Sequence, residues 1–271
     1  MIKAAVCGML LLLFQTACVP LPEDYLSQPQ QISLAAPAAG LDSDSFTKET
    51  AHFRISAYSG IDIYAEECEA LYSGIMRETG LYSFVPPEPY NITIYRDAEE
   101  YHRKTGMPEW SGGAAYGNAL MLYSSPDFNA AAAHEMTHLI FNEFMGLNRN
   151  VRENLWINEG LAVYMETKAS RKSESAYYSR FKKQILNNPL PFSQMVNLAP
   201  QNESQQGTER WYAQAWSVVS FMLSRGGSFN FSVFLGRLKE GDSQDNALAY
   251  AYTDWHSMDE LEKAYLIYIN R

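Results

Sequence analysis

Hydrophobic and polar positions change their period once along this chain. Up to about residue 125 the apolar stretches are short and mostly alternating, and beyond it they recur every three and four residues almost to the end. HFRISAYS, from His52 to Ser59, alternates and predicts a strand. Asp62 to Thr79 carries a helical stripe and is closed by Gly80. YNITIYRD predicts a second strand from its β-branched and aromatic content, and AEEYHRKTG a short helix ending at Gly106. In WSGGAAYGNALMLYSS, glycines precede an apolar run, which predicts a glycine-entered strand or hairpin between Gly112 and Tyr123. Helices are then expected from Ser125 as N-cap, with Pro126 first and Gly146 just past the end, from about Asn154 to Ala169, and around 173–187, 209–225, 229–239 and 257–269. The order implies an α+β fold, with an N-terminal β-rich lobe, a C-terminal helical lobe and a cleft between them.

Composition narrows the partners. The chain has 271 residues, 46% of them hydrophobic, and a net charge of −10 with no basic run, which excludes a nucleic-acid surface. The first residues, MIKAAVCGMLLLLFQTAC, place Lys3 before an apolar stretch from Ala4 to Phe14 and small residues Thr16 and Ala17 before Cys18. This predicts a signal peptide over 1–17, too short to span a bilayer. Small residues leading into a cysteine also resemble the lipobox of bacterial lipoproteins, although Gln15 stands where that family usually has Leu. The resemblance implies lipid on Cys18 and a place in the bacterial cell envelope; the alternative is ordinary secretion with cleavage after Ala17. Residues 18–45, rich in Pro, Ala, Ser and Gln, are expected to be a tether spanning about 90 Å at full extension, leaving 46–271 as the folded domain. With Cys7 removed and Cys18 acylated, only Cys68 remains, and its helical context predicts a small core residue.

The candidate chemistry lies in NAAAAHEMTHLIFNEF, from Asn129 to Phe144. His134 and His138 are four residues apart, so on a helix both imidazoles reach one ion, and Glu135 lies ~100° around from His134. Taken alone, the pattern also fits a buried amphipathic helix with two satisfied histidines. Downstream, ENLWINEGLAVYMETKAS places Glu159 after Trp156, Ile157 and Asn158. This resembles the second helix of the gluzincin metallopeptidases, especially the aminopeptidase-like branch of the thermolysin superfamily, where the glutamate of such a segment is a metal ligand. Twenty residues, Leu139 to Asn158, separate His138 from Glu159, one or two more than that family usually has. The strand-helix-strand prelude and helical C-terminal part extend the resemblance to peptidase-MA-like domains over roughly 46–270.

The resemblance implies a thermolysin-like zincin with Zn2+ on His134, His138 and Glu159, an open fourth position, Glu135 as general base, and a peptide or protein substrate laid along the glycine-entered strand. It also implies an oxyanion-stabilising tyrosine downstream, for which Tyr212 in TERWYAQAWSVVSFML is the candidate, with Tyr116 and His256 as alternatives. Tyr212, Trp216, Val219 and Leu223 equally form a core stripe that needs no catalytic role. In thermolysin an aspartate four residues after the ligand glutamate orients one histidine. That place is Val163 here, which leaves the orienting group unassigned. Rival readings are an inactive peptidase-fold lipoprotein serving as a binding or assembly module, and a closed structural zinc site, which lacks a cysteine or further histidine as fourth ligand. His52, His102 and His256 stand isolated, and no pattern specifies an oligomeric state.

Overall fold

A computed structural model describes residues 40–107, 109, 111–146, 154–170, 179, 182–186, 188–198, 200 and 203–270. The expected signal peptide, Cys18, most of the tether, the 147–153 loop and most of the helix expected at 173–187 lie outside the described residues. The elements run β1 (Phe46–Glu49), β2 (Phe53–Ala57), α1 (Ile61–Thr79), β3 (Tyr90–Tyr95), α2 (Ala98–Thr105), β4 (Gly113–Tyr116), β5 (Ala119–Tyr123), α3 (Phe128–Met145), α4 (Leu155–Ala169), a single turn α5 (Phe192–Met195), α6 (Gln205–Glu240), α7 (Gln244–Ala251) and α8 (Met258–Ile269).

The strands form one mixed sheet in the order β1-β2-β3-β5-β4, with β2, β3 and β5 parallel and β1 and β4 antiparallel at the edges. All strands precede the helical part, so the arrangement is α+β. Parallel register aligns Ile55 with Ile92 and Ile92 with Leu120, so these residues share one face. With Phe53, Tyr90 and Leu122 they enter the main core, which also contains residues of α1 and α3. α1 presents Ala65, Cys68, Tyr72, Ile75, Met76 and Thr79 as its buried residues, the three-and-four spacing of a single stripe. The second face gathers Tyr95, Met121 and Ala114 around Tyr101 of α2 in a smaller cluster.

Several boundaries depart from the periodic reading. β1 carries no strong alternation and forms because β2 offers a partner, pairing Phe46 with Ala57. Ser125 does not cap α3: its carbonyl accepts the Phe128 N–H in a turn containing Pro126, and the helix begins at Phe128 with Asp127 at its N-cap. The glycine-entered segment is a two-stranded hairpin whose turn holds Gly117 at φ 59°. The helices expected at 209–225 and 229–239 are one helical run, Gln205–Glu240, broken only at Gly227 with φ 67° and ψ −179°. Ser257 caps α8, accepting from the Glu260 amide, whereas α5 and α7 are short elements that the periodicity did not signal.

Candidate metal centre

Two glycines let the helices of the site approach their neighbours. A Cβ at Gly160 of α4 would lie 2.5 Å from the Ala215 carbonyl oxygen of α6, so only glycine permits that crossing. A Cβ at Gly113 would lie 2.6 Å from Leu122 Cδ2 and 3.1 Å from Glu135 Cγ. The edge strand therefore reaches α3 beside Glu135 because residue 113 has no side chain. On α3 itself, Ala130, Ala132 and Ala133 are buried, and small side chains keep the helix close to what covers it. α4 is buried at every residue from Leu155 to Thr167, which is why it lacks an amphipathic stripe.

α3 and α4 bring the predicted ligands together. The Nε2 atoms of His134 and His138 face each other at 3.1 Å, and Glu159 Oε2 is 3.5 Å from His138 Nε2. One ligand atom from each of His134, His138 and Glu159 falls within 4.8 Å of the others, a group that can hold a metal ion. Each imidazole is turned by a partner on α4: His134 Nδ1 lies 3.0 Å from Glu166 Oε2, and His138 Nδ1 lies 2.9 Å from Asn158 Oδ1. The Asn158 amide nitrogen donates to Asn142 Oδ1, so Asn158 Oδ1 is the acceptor toward His138. Both histidines thus direct their Nδ1 atoms outward to acceptors and turn their Nε2 atoms toward each other, the arrangement that ligands to a shared cation require.

The surrounding carboxylates also act on the imidazole charge. Burial opposes a charged His134, but the Glu166 hydrogen bond and the charges of Glu166, Glu135 and Glu159 outweigh it and hold the imidazole up to about 9. Burial also pushes the Glu135 carboxyl above its ordinary range, against the pull of His134 and His138. Glu166 Oε1 is buried without a hydrogen-bond partner among the described residues. Carboxylates and imidazole nitrogens concentrated at low exposure with few donors call for a positive charge. These residues fit a divalent ion of the kind that accepts mixed nitrogen and oxygen ligands.

The carboxylate that meets the His134 ring is Glu166, three residues beyond Val163. Seven residues after Glu159 is nearly two turns, so the two glutamates share a face, and a lone carboxylate in the run LAVYMET was the available signal. Tyr212 lies half-buried on α6, its ring edge-on to Trp211 at 5.2 Å, while Trp216, Val219 and Leu223 of its stripe are buried. Tyr116 is 39% exposed on β4. His256 pairs at 3.4 Å with Glu260, His52 at 2.7 Å with Glu69, and His102 Nδ1 lies 3.2 Å from the Met107 carbonyl. Among the described residues, none of those three joins a group of three metal-ligating side chains. Cys68 is wholly buried, and burial pushes its thiol up to about 12, as a core residue rather than a nucleophile.

The family model of the peptidase MA superfamily matches residues 56–270, from within β2 to the end of α8. The chain belongs to the peptidase MA superfamily. No curated protein matches it. Metal dependence is typical of peptidase MA proteins, and the His134, His138 and Glu159 group lies inside the matched region.

Proposed function

We propose that the chain is a zinc-dependent peptidase with a thermolysin-like division into two lobes, exported and held at a bacterial membrane by lipid on Cys18. The observation that supports the peptidase reading is the pair of opposed Nε2 atoms beside Glu159, each ring turned by its own acceptor, with Glu135 adjacent. When bound by His134, His138 and Glu159, zinc supplies the Lewis acidity that polarises a scissile carbonyl and acidifies water. Glu135 takes the proton of the attacking water and passes it to the leaving amine. Glu166 and Asn158 hold the imidazole rings in place. β4 ends the sheet order, so its outer edge can pair with an extended peptide whose carbonyl then lies beside Glu135. The Tyr212 hydroxyl donates to the developing oxyanion.

The test is elemental analysis and peptide-library cleavage with the mature protein, together with mass spectrometry of its N-terminus. About one zinc per chain, cleavage, and a lipid-bearing Cys18 are expected. Glu135→Gln should retain the metal and lose about 10²- to 10⁴-fold in turnover. Zinc binding with no cleavage of any library peptide would instead make the chain a binding module on a peptidase fold. An unmodified Cys18, or another first residue, refutes the anchor.

A further inference from the structure

A cavity of about 730 Å³ lies behind α4, bounded also by the end of α1, by α6 around its break at Gly227, and by α8. Tyr164 and Lys168 of α4 line it. At ~100° per residue they stand about 140° and 180° around from Glu159, so the cavity is on the side of α4 turned away from the metal centre. Its volume suits a small organic ligand.

The lining has three kinds of surface. Two cations, Arg77 and Lys168, stand with one carboxylate, Glu78, which already accepts the Tyr164 hydroxyl at 2.9 Å and lies 3.8 Å from Arg77. Among the described lining residues cations outnumber carboxylates two to one, in a chain whose net charge is −10. Ser220 and Ser224 commit their protons to the carbonyls of Trp216 and Phe221, both at 2.8 Å, so toward the cavity their oxygens act as acceptors. Trp216, Leu223 and Tyr268 supply aromatic and apolar wall. An occupant matching all three carries an anion at one end, N–H donors along its length and an apolar side chain. The two serines, four residues apart on α6, are about 6 Å apart along the helix axis, close to the ~6.7 Å repeat of N–H groups along one edge of an extended peptide.

The geometry points to a second site that binds a short peptide, with its free C-terminal carboxylate against Arg77 and Lys168, its amides against Ser220 and Ser224, and its last side chain against Trp216 and Tyr268. The assignment stands on the lining alone and does not require the chain to be a peptidase. Isothermal titration of Ala-Ala-Phe and of its C-terminal amide into the mature protein carrying Glu135→Gln, which prevents turnover, tests it. One site per chain that survives chelation is expected for the acid, weakened about tenfold or more by amidation and by Lys168→Gln or Arg77→Gln. Both cations are exposed, so neither change threatens the fold. Ser220→Leu, which fills the cavity, should abolish binding at an unchanged melting temperature. Metal chelation should leave it intact. Equal affinity for acid and amide overturns the proposal, as does no binding at millimolar peptide, or binding lost on chelation but indifferent to Lys168→Gln and Ser220→Leu, which would put the peptide at the metal centre.

Discussion

The two faces of the sheet carry two clusters of buried charge built in opposite senses. Beside α2, Glu100 is buried but surrounded by donors: the Arg96 amide at 2.9 Å, the Tyr58 hydroxyl at 2.9 Å and the Lys104 ammonium at 3.4 Å. Asp42 and Asp44, from the segment expected to be tether, complete it through Lys104 and Arg96, and Arg96 lies 3.5 Å over the Tyr58 ring. Burial opposes ionisation of Glu100, yet those donors outweigh it and hold the carboxyl below its ordinary value. Between α3 and α4 the balance reverses: three glutamates converge on two imidazoles, Glu135 is pushed up, and the carboxylates hold His134 up to about 9. A cluster that supplies its own counter-charge is a clasp, whereas one whose carboxylates outnumber its cations can serve as a receptor for a further cation.

The strongest way to break this contrast is to remove the receptor's acceptors. His134→Ala, His138→Ala and Glu159→Ala should each abolish bound zinc by elemental analysis, with total loss of hydrolysis; metal retained by all three variants would falsify the three-ligand assignment. Next in size is the proposed oxyanion donor. Tyr212→Phe should lower kcat about 10²- to 10³-fold at a nearly unchanged melting temperature if its hydroxyl serves the oxyanion. Normal turnover with reduced stability would make it a core tyrosine. Glu166→Gln keeps the shape of the group against His134 and weakens it as an acceptor, so metal affinity should fall about 10- to 100-fold in a chelator competition. An unchanged affinity would reduce Glu166 to packing.

The smallest effect belongs to the clasp. Glu100→Gln should leave zinc content and turnover alone and lower stability by about 1 kcal/mol, a modest figure because solvent reaches the outer partners. The sign of its pH dependence follows from the depressed carboxyl: the contribution is fully present above the ordinary value of 4.5 and is lost as pH falls through the lower folded value. Chemical denaturation across that acid window should therefore show the wild type converging on Glu100→Gln as pH drops. Parallel curves would mean that Glu100 is not the titrating clasp.

Legibility divided along the same line as range. α1, α2 and the hairpin were readable because their stripes, glycines and caps lie within a few residues of one another. So was the stacking of His134 and His138, which four residues of helix impose. β1 was not readable, since a strand with three exposed positions owes its form to β2. The end of the expected tether was not readable either, because Asp42 and Asp44 are ordered by ion pairs to residues more than fifty positions away.

By itself, then, the sequence determined what is local: the helical period, the face shared by the two histidines, and the segment that sets Glu159 on a second helix. Tertiary structure alone decided what depends on packing α4 against α3 and α6. It selected Glu166, 32 positions from His134, and Asn158, 20 positions from His138, as the groups that turn the rings. It made Gly113 and Gly160 points of backbone approach, and it left Tyr164 and Lys168 facing a cavity on the far side of the ligand helix. The physical reason is that helical spacing prescribes which side chains share a face, while the partner that each face meets depends on the closure of loops that sequence periodicity does not encode.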